Sequence, residues 1–187
     1  MPRIVDHEQR RAQIVRATRR VLARDGVDGA TMRNIAKQAW CTTGRITHYF
    51  ADKDELMIAV LRSIHGSSRR RIERALQNDQ DDLGRVIEAT LPLDDERREE
   101  WVGWVSFWAQ AARSDALQAE LSERYTDWTE LLAVLLGTET GDPAVTMLVA
   151  LIDGVGTRIA LDPDGIPDAD HVVSAIVATV TVGAAHT

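Results

Sequence analysis

The stretch from Thr31 to Leu56 constrains this chain more than any other: Thr-Met-Arg-Asn-Ile-Ala-Lys-Gln-Ala-Trp-Cys-Thr-Thr-Gly-Arg-Ile-Thr-His-Tyr-Phe-Ala-Asp-Lys-Asp-Glu-Leu. Its spacing predicts two short helices joined by a tight turn, then the start of a third. Thr31 is a fitting N-cap, because its hydroxyl can accept a hydrogen bond from an otherwise unpaired backbone N–H. Ile35, Ala36 and Ala39 give the first helix an apolar face, and the two alanines are small enough for another helix to come close. Thr42 or Thr43 can cap the second helix, whose Ile46 and Phe50 are four apart and point to one side. Thr43, Arg45, Thr47, His48 and Tyr49 are left for the outward faces. So short and polar a helix buries too little to be held for packing alone. A helix-turn-helix that presents its second helix to the DNA major groove accounts for the pattern.

The same string resembles the DNA-binding signature of the tetracycline-repressor (TetR) family, roughly T-x-x-x-I-A-x-x-A-G-V-S-x-G-x-x-Y-x-[HY]-F-x-x-K-x-x-L. Thr31, Ile35, Ala36, Ala39, Thr42 (for Ser), Gly44, Tyr49, Phe50, Lys53 and Leu56 meet it at the right spacing. Thr47 stands where the family often has a phosphate-binding Tyr, and Trp40 where it usually has Gly. The resemblance implies that Thr43, Gly44, Arg45 and His48 face base edges, and that Thr31, Thr42, Thr47, Tyr49 and Lys53 face phosphates. Arg45 is the best specific reader, since its guanidinium fork suits guanine O6 and N7. The family also implies a homodimer that sets two recognition helices in successive major grooves of a pseudo-palindromic operator, roughly 34–36 Å apart. A small-molecule effector that prefers a splayed state would release the DNA. That is repression; activation, or a regulator with an impaired DNA head, is the alternative.

Charge agrees with a DNA-binding head. The chain is acidic overall, at −7, but residues 1–78 hold 16 Lys/Arg against 8 Asp/Glu, a balance of +8. The remainder holds 6 against 21, a balance of −15. A basic first third joined to an acidic body suits a head that meets phosphates and a body kept off them. Hydrophobic residues make up 44%, which excludes a disordered chain. No apolar run approaches the ~18 residues of a membrane span and the N-terminus lacks an apolar signal core, so the expectation is a cytoplasmic protein without membrane partners. Cys41 is the only cysteine, which leaves no internal disulfide.

The chain in order predicts an all-α protein of about nine helices. Residues 8–25 form the first, stopped by Asp25-Gly26, with some of its arginines near a DNA backbone. Residues 1–52 are expected to form the three-helix DNA-binding domain and 53–187 the ligand-binding and dimerisation domain. A helix over 53–78, capped by Asp52, connects them, and Asp79–Asp82 is a polar junction. Helices then follow over 83–91, from Asp94 or Asp95 to about Ala112, from Asp115 to about Leu136, over 143–161 and over 168–182. Pro143 suits a first helical position.

In the body, Trp101, Trp104 and Trp108 fall on one helical face. Such spacing is usually core; the alternative is a pocket whose indole faces hold a cation or a flat apolar ligand. The segments Glu100–Ala109 and Leu151–Gly156 are similar to the choline-responsive branch of the TetR family, which regulates betaine synthesis. With Met147 and Asp153, the tryptophans are the expected effector-binding residues. Asp153 lies in an apolar stretch and needs a partner: Arg158, Arg113 or a helix end if structural, a counter-charge in the pocket or a polar anchor at the dimer seam if functional. Gly154 and Gly156 suit close approach by another helix, which supports a dimer contact as the family implies, flexibility being the alternative. The expected dimer seam pairs 143–161 and 168–182 with their copies, using Val145, Leu148, Leu151, Ile152, Val155, Ile159, Val172, Ile176 and Val180.

No enzyme is expected. His7, His48, His65, His171 and His186 are scattered without metal-ligand spacing, no phosphate-cradling glycine loop appears, and Cys41 beside His48 is weak evidence for a nucleophile. No metal or cofactor is expected either.

Trp40 is the exception to the local rules. The usual Gly there supplies positive φ, which a bulky residue adopts at a cost of about 1–2 kcal/mol. Burying the ring would offset this by up to roughly 2–3 kcal/mol. The expectation is therefore a formed helix-turn-helix with Trp40 partly exposed, and a Trp40→Gly variant that keeps the fold and binds DNA at least as tightly.

Overall fold

The computed structural model of the chain describes residues 2–77, 82–165 and 168–184, and these contain nine α-helices, one 3-10 turn and no strand. The helices are α1 (Pro2–Gly29), α2 (Met32–Gln38), α3 (Thr43–Tyr49), α4 (Lys53–Leu76), α5 (Leu83–Thr90), α6 (Asp95–Ala111), α7 (Asp115–Leu136), α8 (Pro143–Leu161) and α9 (Ala169–Ala184). The 3-10 turn, Pro163–Gly165, lies in the expected loop after α8. α1 begins earlier than periodicity suggested, and Gly26 interrupts it with φ 68° and ψ −170°. Of the polar junction after α4, residues 79–81 lie outside the described residues.

The chain falls into two compact units, residues 1–65 with 102–120, and residues 66–101 with 121–187. The first is built on α1, α2, α3 and the front of α4. Val21, Leu22, Ile35, Ile46, Phe50 and Leu56 are almost fully buried there, so both short helices are held by the residues whose spacing foretold it. Ile64 packs over Gly103 so closely that a Cβ on the glycine would lie 2.5 Å from Ile64 Cδ1. Arg62 grips the buried Glu120 with two hydrogen bonds, Nε at 3.0 Å and a terminal nitrogen at 2.7 Å. Arg11 donates to Glu55 at 2.8 Å and lies over the Phe50 ring, so this arginine of α1 stabilises the head internally.

In the second unit α9 packs on α5 and α8. Arg71 donates to the buried Glu100 at 2.5 Å and to the Ala89 carbonyl at 3.2 Å. Arg71 thereby ties α4 to α5 and α6. α8 is 19 residues long and holds an 18-residue window of mean hydropathy 1.7, enough by length and composition to cross a membrane, although Asp153 and Arg158 interrupt its apolar run. Asp142 caps it, accepting from Ala144 N at 2.8 Å, and Pro143 occupies its first turn as expected. Its buried side is a core face of this unit: Val145, Leu148 and Ile152 are at most 2% exposed.

Candidate nucleic-acid interface

Two threonines set the geometry of the head. Thr31 Oγ1 accepts from Asn34 N and Thr42 Oγ1 from Arg45 N, each at 3.2 Å, so both short helices begin on a side-chain cap. A hydroxyl used in this way keeps its own hydrogen, which is free to be donated outward. Ile46 and Phe50 turn one side of α3 into the core, which leaves Thr43, Gly44, Arg45, Thr47 and His48 exposed on the other and Tyr49 half-buried. Unlike the capping hydroxyls of Thr31 and Thr42, the Thr47 hydroxyl donates to a carbonyl, that of Gly44 at 3.1 Å. Lys53 opens α4, half-buried, where its charge opposes the helix dipole and an anion would favour both.

The structure also joins residues that the sequence scatters. The ring of His7, on α1, lies 4.6 Å from that of Tyr49 and 6.4 Å from that of His48, centroid to centroid. His48 and Tyr49 are themselves 5.2 Å apart. No spacing rule could have found His7, because its contact depends on how α1 crosses α3.

Trp40 adopts φ 53°, the only positive value at a non-glycine residue among those described. The turn is nonetheless closed, by Trp40 N to Lys37 O at 3.3 Å and Cys41 N to Ala36 O at 3.0 Å. The indole is 92% exposed, well beyond the partial exposure expected. Burial therefore offsets none of the backbone cost. The ring stands beside an open groove walled by Arg24, Lys37, Gln38, Cys41, Thr42 and Arg45. Burial pushes the Cys41 thiol above its ordinary range while Arg45 opposes this, so the thiol is not primed as a nucleophile.

The expected effector residues divide between the units. In the second, Trp101 is a core residue: it is 6% exposed, its Nε1 donates to the Thr90 carbonyl at 2.7 Å, and its ring lies against Gly156. That corrects its reading as a ligand contact and also the reading of Gly156, whose close neighbour is a ring of the same chain. Gly154 has nothing within 4 Å of a built Cβ. Met147 is 52% exposed at the surface of α8. The carboxylate of Asp153 accepts from Tyr125 Oη at 2.6 Å, so its partner is neither Arg158 nor Arg113. Burial raises its pKa above the ordinary range, with the Tyr125 bond pulling the other way. In the first unit Trp104 and Trp108 are half-buried, and Trp108 Nε1 is enclosed with no hydrogen-bond partner among the described residues.

The expected dimer residues need the largest correction. Val145, Leu148, Ile152, Ile159, Ile176 and Val180 are at most 6% exposed within the single chain, and Leu151, Val155 and Val172 are half-buried. Six of the nine residues expected at the seam are therefore buried within the single chain, where α9 packs on α8 and α5. Their outward sides are made of other residues: Thr146, Met147, Ala150, Gly154, Arg158 and Leu161 on α8, and Ser174, Ala175, Ala178 and Thr179 on α9.

Known proteins share this arrangement. Residues 14–60 match the bacterial regulatory proteins of the tetR family, and residues 79–182 match the BetI-type transcriptional repressor C-terminal region. The HTH-type transcriptional regulator PksA of Bacillus subtilis (strain 168) is 32% identical over 87% of this chain and 84% of its own. The HTH-type transcriptional regulator BetI of Paraburkholderia phymatum is 30% identical, covering 88% of each. A transcriptional regulator from Rhodococcus sp. Rha1 superposes with a TM-score of 0.83 at 25% identity, over 92% of this chain and 96% of its own. With a capped helix-turn-helix in its head and a helical body matched through residue 182, the chain belongs to the tetR family of bacterial regulatory proteins, in its BetI-type branch.

Proposed function

We propose that this protein is a cytoplasmic, homodimeric repressor that binds a pseudo-palindromic DNA operator through α3 and releases it when a small molecule binds the body. The observation that carries this is the two-sided character of α3: Ile46 is buried while Thr43, Gly44, Arg45 and His48 are exposed at and beyond a capped N-terminus. A helix with that division enters the major groove by its N-terminal residues, Arg45 reading guanine and His48 lying beside it. Thr31, Thr42, Tyr49 and Lys53 grip phosphates, and Thr47 joins them when its hydroxyl turns from the Gly44 carbonyl. The arginine-rich head supplies the sequence-independent part of the affinity. The chain acts by binding and not by catalysis, since its relatives are regulators.

The dimer seam lies on the outward faces of α8 and α9. Over the apolar window of α8 only 39% is buried in the single chain, and the residues left outside include Met147 and Leu161, 52% and 69% exposed. Ala150, Gly154, Ala175 and Ala178 are small enough for helices of two copies to come close.

The effector is a small organic cation of the choline type. Asp153 offers the counter-charge in the second unit, where an ammonium group would replace the cost of burial with a favourable partner. In the first unit, Trp104 and Trp108 are a separate candidate site whose aromatic faces suit a cation. The test is a gel shift with the DNA flanking the protein's own gene, titrated with choline and then betaine aldehyde while tryptophan emission is followed. Retarded DNA that is released as emission falls, with no fall in a folded Trp108→Ala variant, is the expected result. Quenching only by neutral apolar compounds removes the cationic effector; no retardation at low salt removes the DNA-binding reading.

A further inference from the structure

The ring of Trp40 is the one large apolar side chain exposed in residues 7–65, since the others, Val134, Met147 and Leu161, all belong to the body. It also sits where a side chain is disfavoured, at φ 53°. Nothing within the described head covers the indole, so the chain carries both a strained backbone and a solvated indole at one position. Its place in the fold is specific. Trp40 is two residues before the N-cap Thr42, at the end of α3 whose residues enter a major groove, and shares a groove with Lys37, Thr42 and Arg45. Arg24, also in that groove, is paired with Asp25 at 2.7 Å, so Lys37 and Arg45 supply the excess positive charge.

We propose that Trp40 is a DNA-contacting residue that sharpens operator choice. Its indole lies against an apolar edge of the strand beside the α3 N-terminus, a thymine methyl or the carbons of a deoxyribose. A protein partner fits less well, because a protein interface needs a contiguous apolar patch and this is a single ring flanked by cations. Against DNA the same surroundings are favourable: the cations hold the phosphates and the ring fills the space between backbone and base edge. The proposal rests on α3 being the recognition helix. It reverses the expectation that a Trp40→Gly variant binds at least as tightly, because the ring is not a packed element whose loss is neutral but an exposed one at the DNA-facing end.

The experiment uses the full chain and a duplex that the wild type selects from a random pool, followed by anisotropy at several salt concentrations. Trp40→Gly and Trp40→Asn, two residues that tolerate positive φ, should melt no lower than wild type and bind about tenfold more weakly, the scale of one lost base-edge contact. The salt slope should not change, since no charge is lost. Trp40→Phe should keep most of the affinity. Replacing each thymine by deoxyuridine separates the two edges: a methyl contact shows as a wild-type loss that Trp40→Gly does not share, and a sugar contact as none. Binding within about twofold of wild type in both variants overturns the proposal, as does a large drop in melting temperature. A changed oligomeric state with unchanged affinity overturns it in favour of a protein partner. Arg45→Ala, run alongside, separates the two levels: if it too binds normally, α3 is not the recognition helix, whereas if it alone weakens binding, only the role of Trp40 fails.

Discussion

The ring of Trp101 occupies the space that a side chain at residue 156 would need: a Cβ on Gly156 would lie 2.2 Å from Trp101 Cη2. The indole cannot retreat, because its Nε1 is bound to the Thr90 carbonyl and it is 6% exposed. In an unconstrained helix, alanine would gain roughly 0.5–1 kcal/mol over glycine. Here overpacking, typically about 1–3 kcal/mol, prevails. Gly156→Ala is therefore expected to lower stability by about 1–2 kcal/mol in urea denaturation at fixed protein concentration. In a Trp101→Leu background the loss should shrink, and equal losses in the two backgrounds would show that the contact is not the cause.

Asp153 has its carboxyl pKa raised by burial, so its folded form takes up a proton more readily than its unfolded form. Such a group contributes stability that is fully present below the unfolded pKa and is lost as pH rises through the folded one. The window opens at the ordinary value of 3.8 and extends upward. Asp153→Asn, which keeps an acceptor for Tyr125, should remove that loss. Melting temperatures of the two proteins should be closest in acid and diverge in favour of the variant toward neutral pH. Parallel curves would count against a raised pKa.

Arg45 and Lys53 should fail in different ways. Arg45→Ala is expected to cost about 1–3 kcal/mol against the selected operator and to relax the preference at one base pair. Lys53→Ala should weaken all sequences about equally and flatten the dependence of log K on log salt by about one unit. An Arg45→Ala variant with an unchanged sequence preference would remove α3 from the groove.

The outward face of α8 should hold the dimer. Gly154 is exposed and has nothing within 4 Å of a built Cβ, so Gly154→Arg is free of strain in the single chain. It is expected to keep the helical circular dichroism and to shift sedimentation equilibrium at micromolar concentration from dimer toward monomer. Ile176→Ala, on the buried face at 4% exposure, should instead cost roughly 2–5 kcal/mol of stability. A Gly154→Arg protein that remains fully dimeric places the seam elsewhere.

The local architecture of the head was legible in residue order. Thr31 as a cap, Thr42 or Thr43 as the next, Ile35, Ile46 and Phe50 as the inward set, and Pro143 at the opening of α8 all follow from interactions that span at most four residues. The same is true of the all-α class and of the exposure of Arg45 and His48, because a helical period assigns faces without knowledge of the rest of the chain. What periodicity cannot say is what a face meets. Val145, Leu148 and Ile152 formed a stripe that suited a seam equally well; only the packing of α8 and α9 showed that the stripe is spent inside the chain and that the small residues behind it are the open side. Trp101, Trp104 and Trp108 looked alike in sequence, yet a hydrogen bond to Thr90 and the gap at Gly156 make the first a core residue. Asp153 found Tyr125 across 28 positions, and His7 found Tyr49 across α1 and α3. Trp40 divides the two kinds of knowledge at one residue. The sequence, through its resemblance to a family that usually has Gly at this position, implied a positive φ in the turn; only the tertiary structure decided that the ring finds no cover, since burial depends on which surfaces the fold brings near.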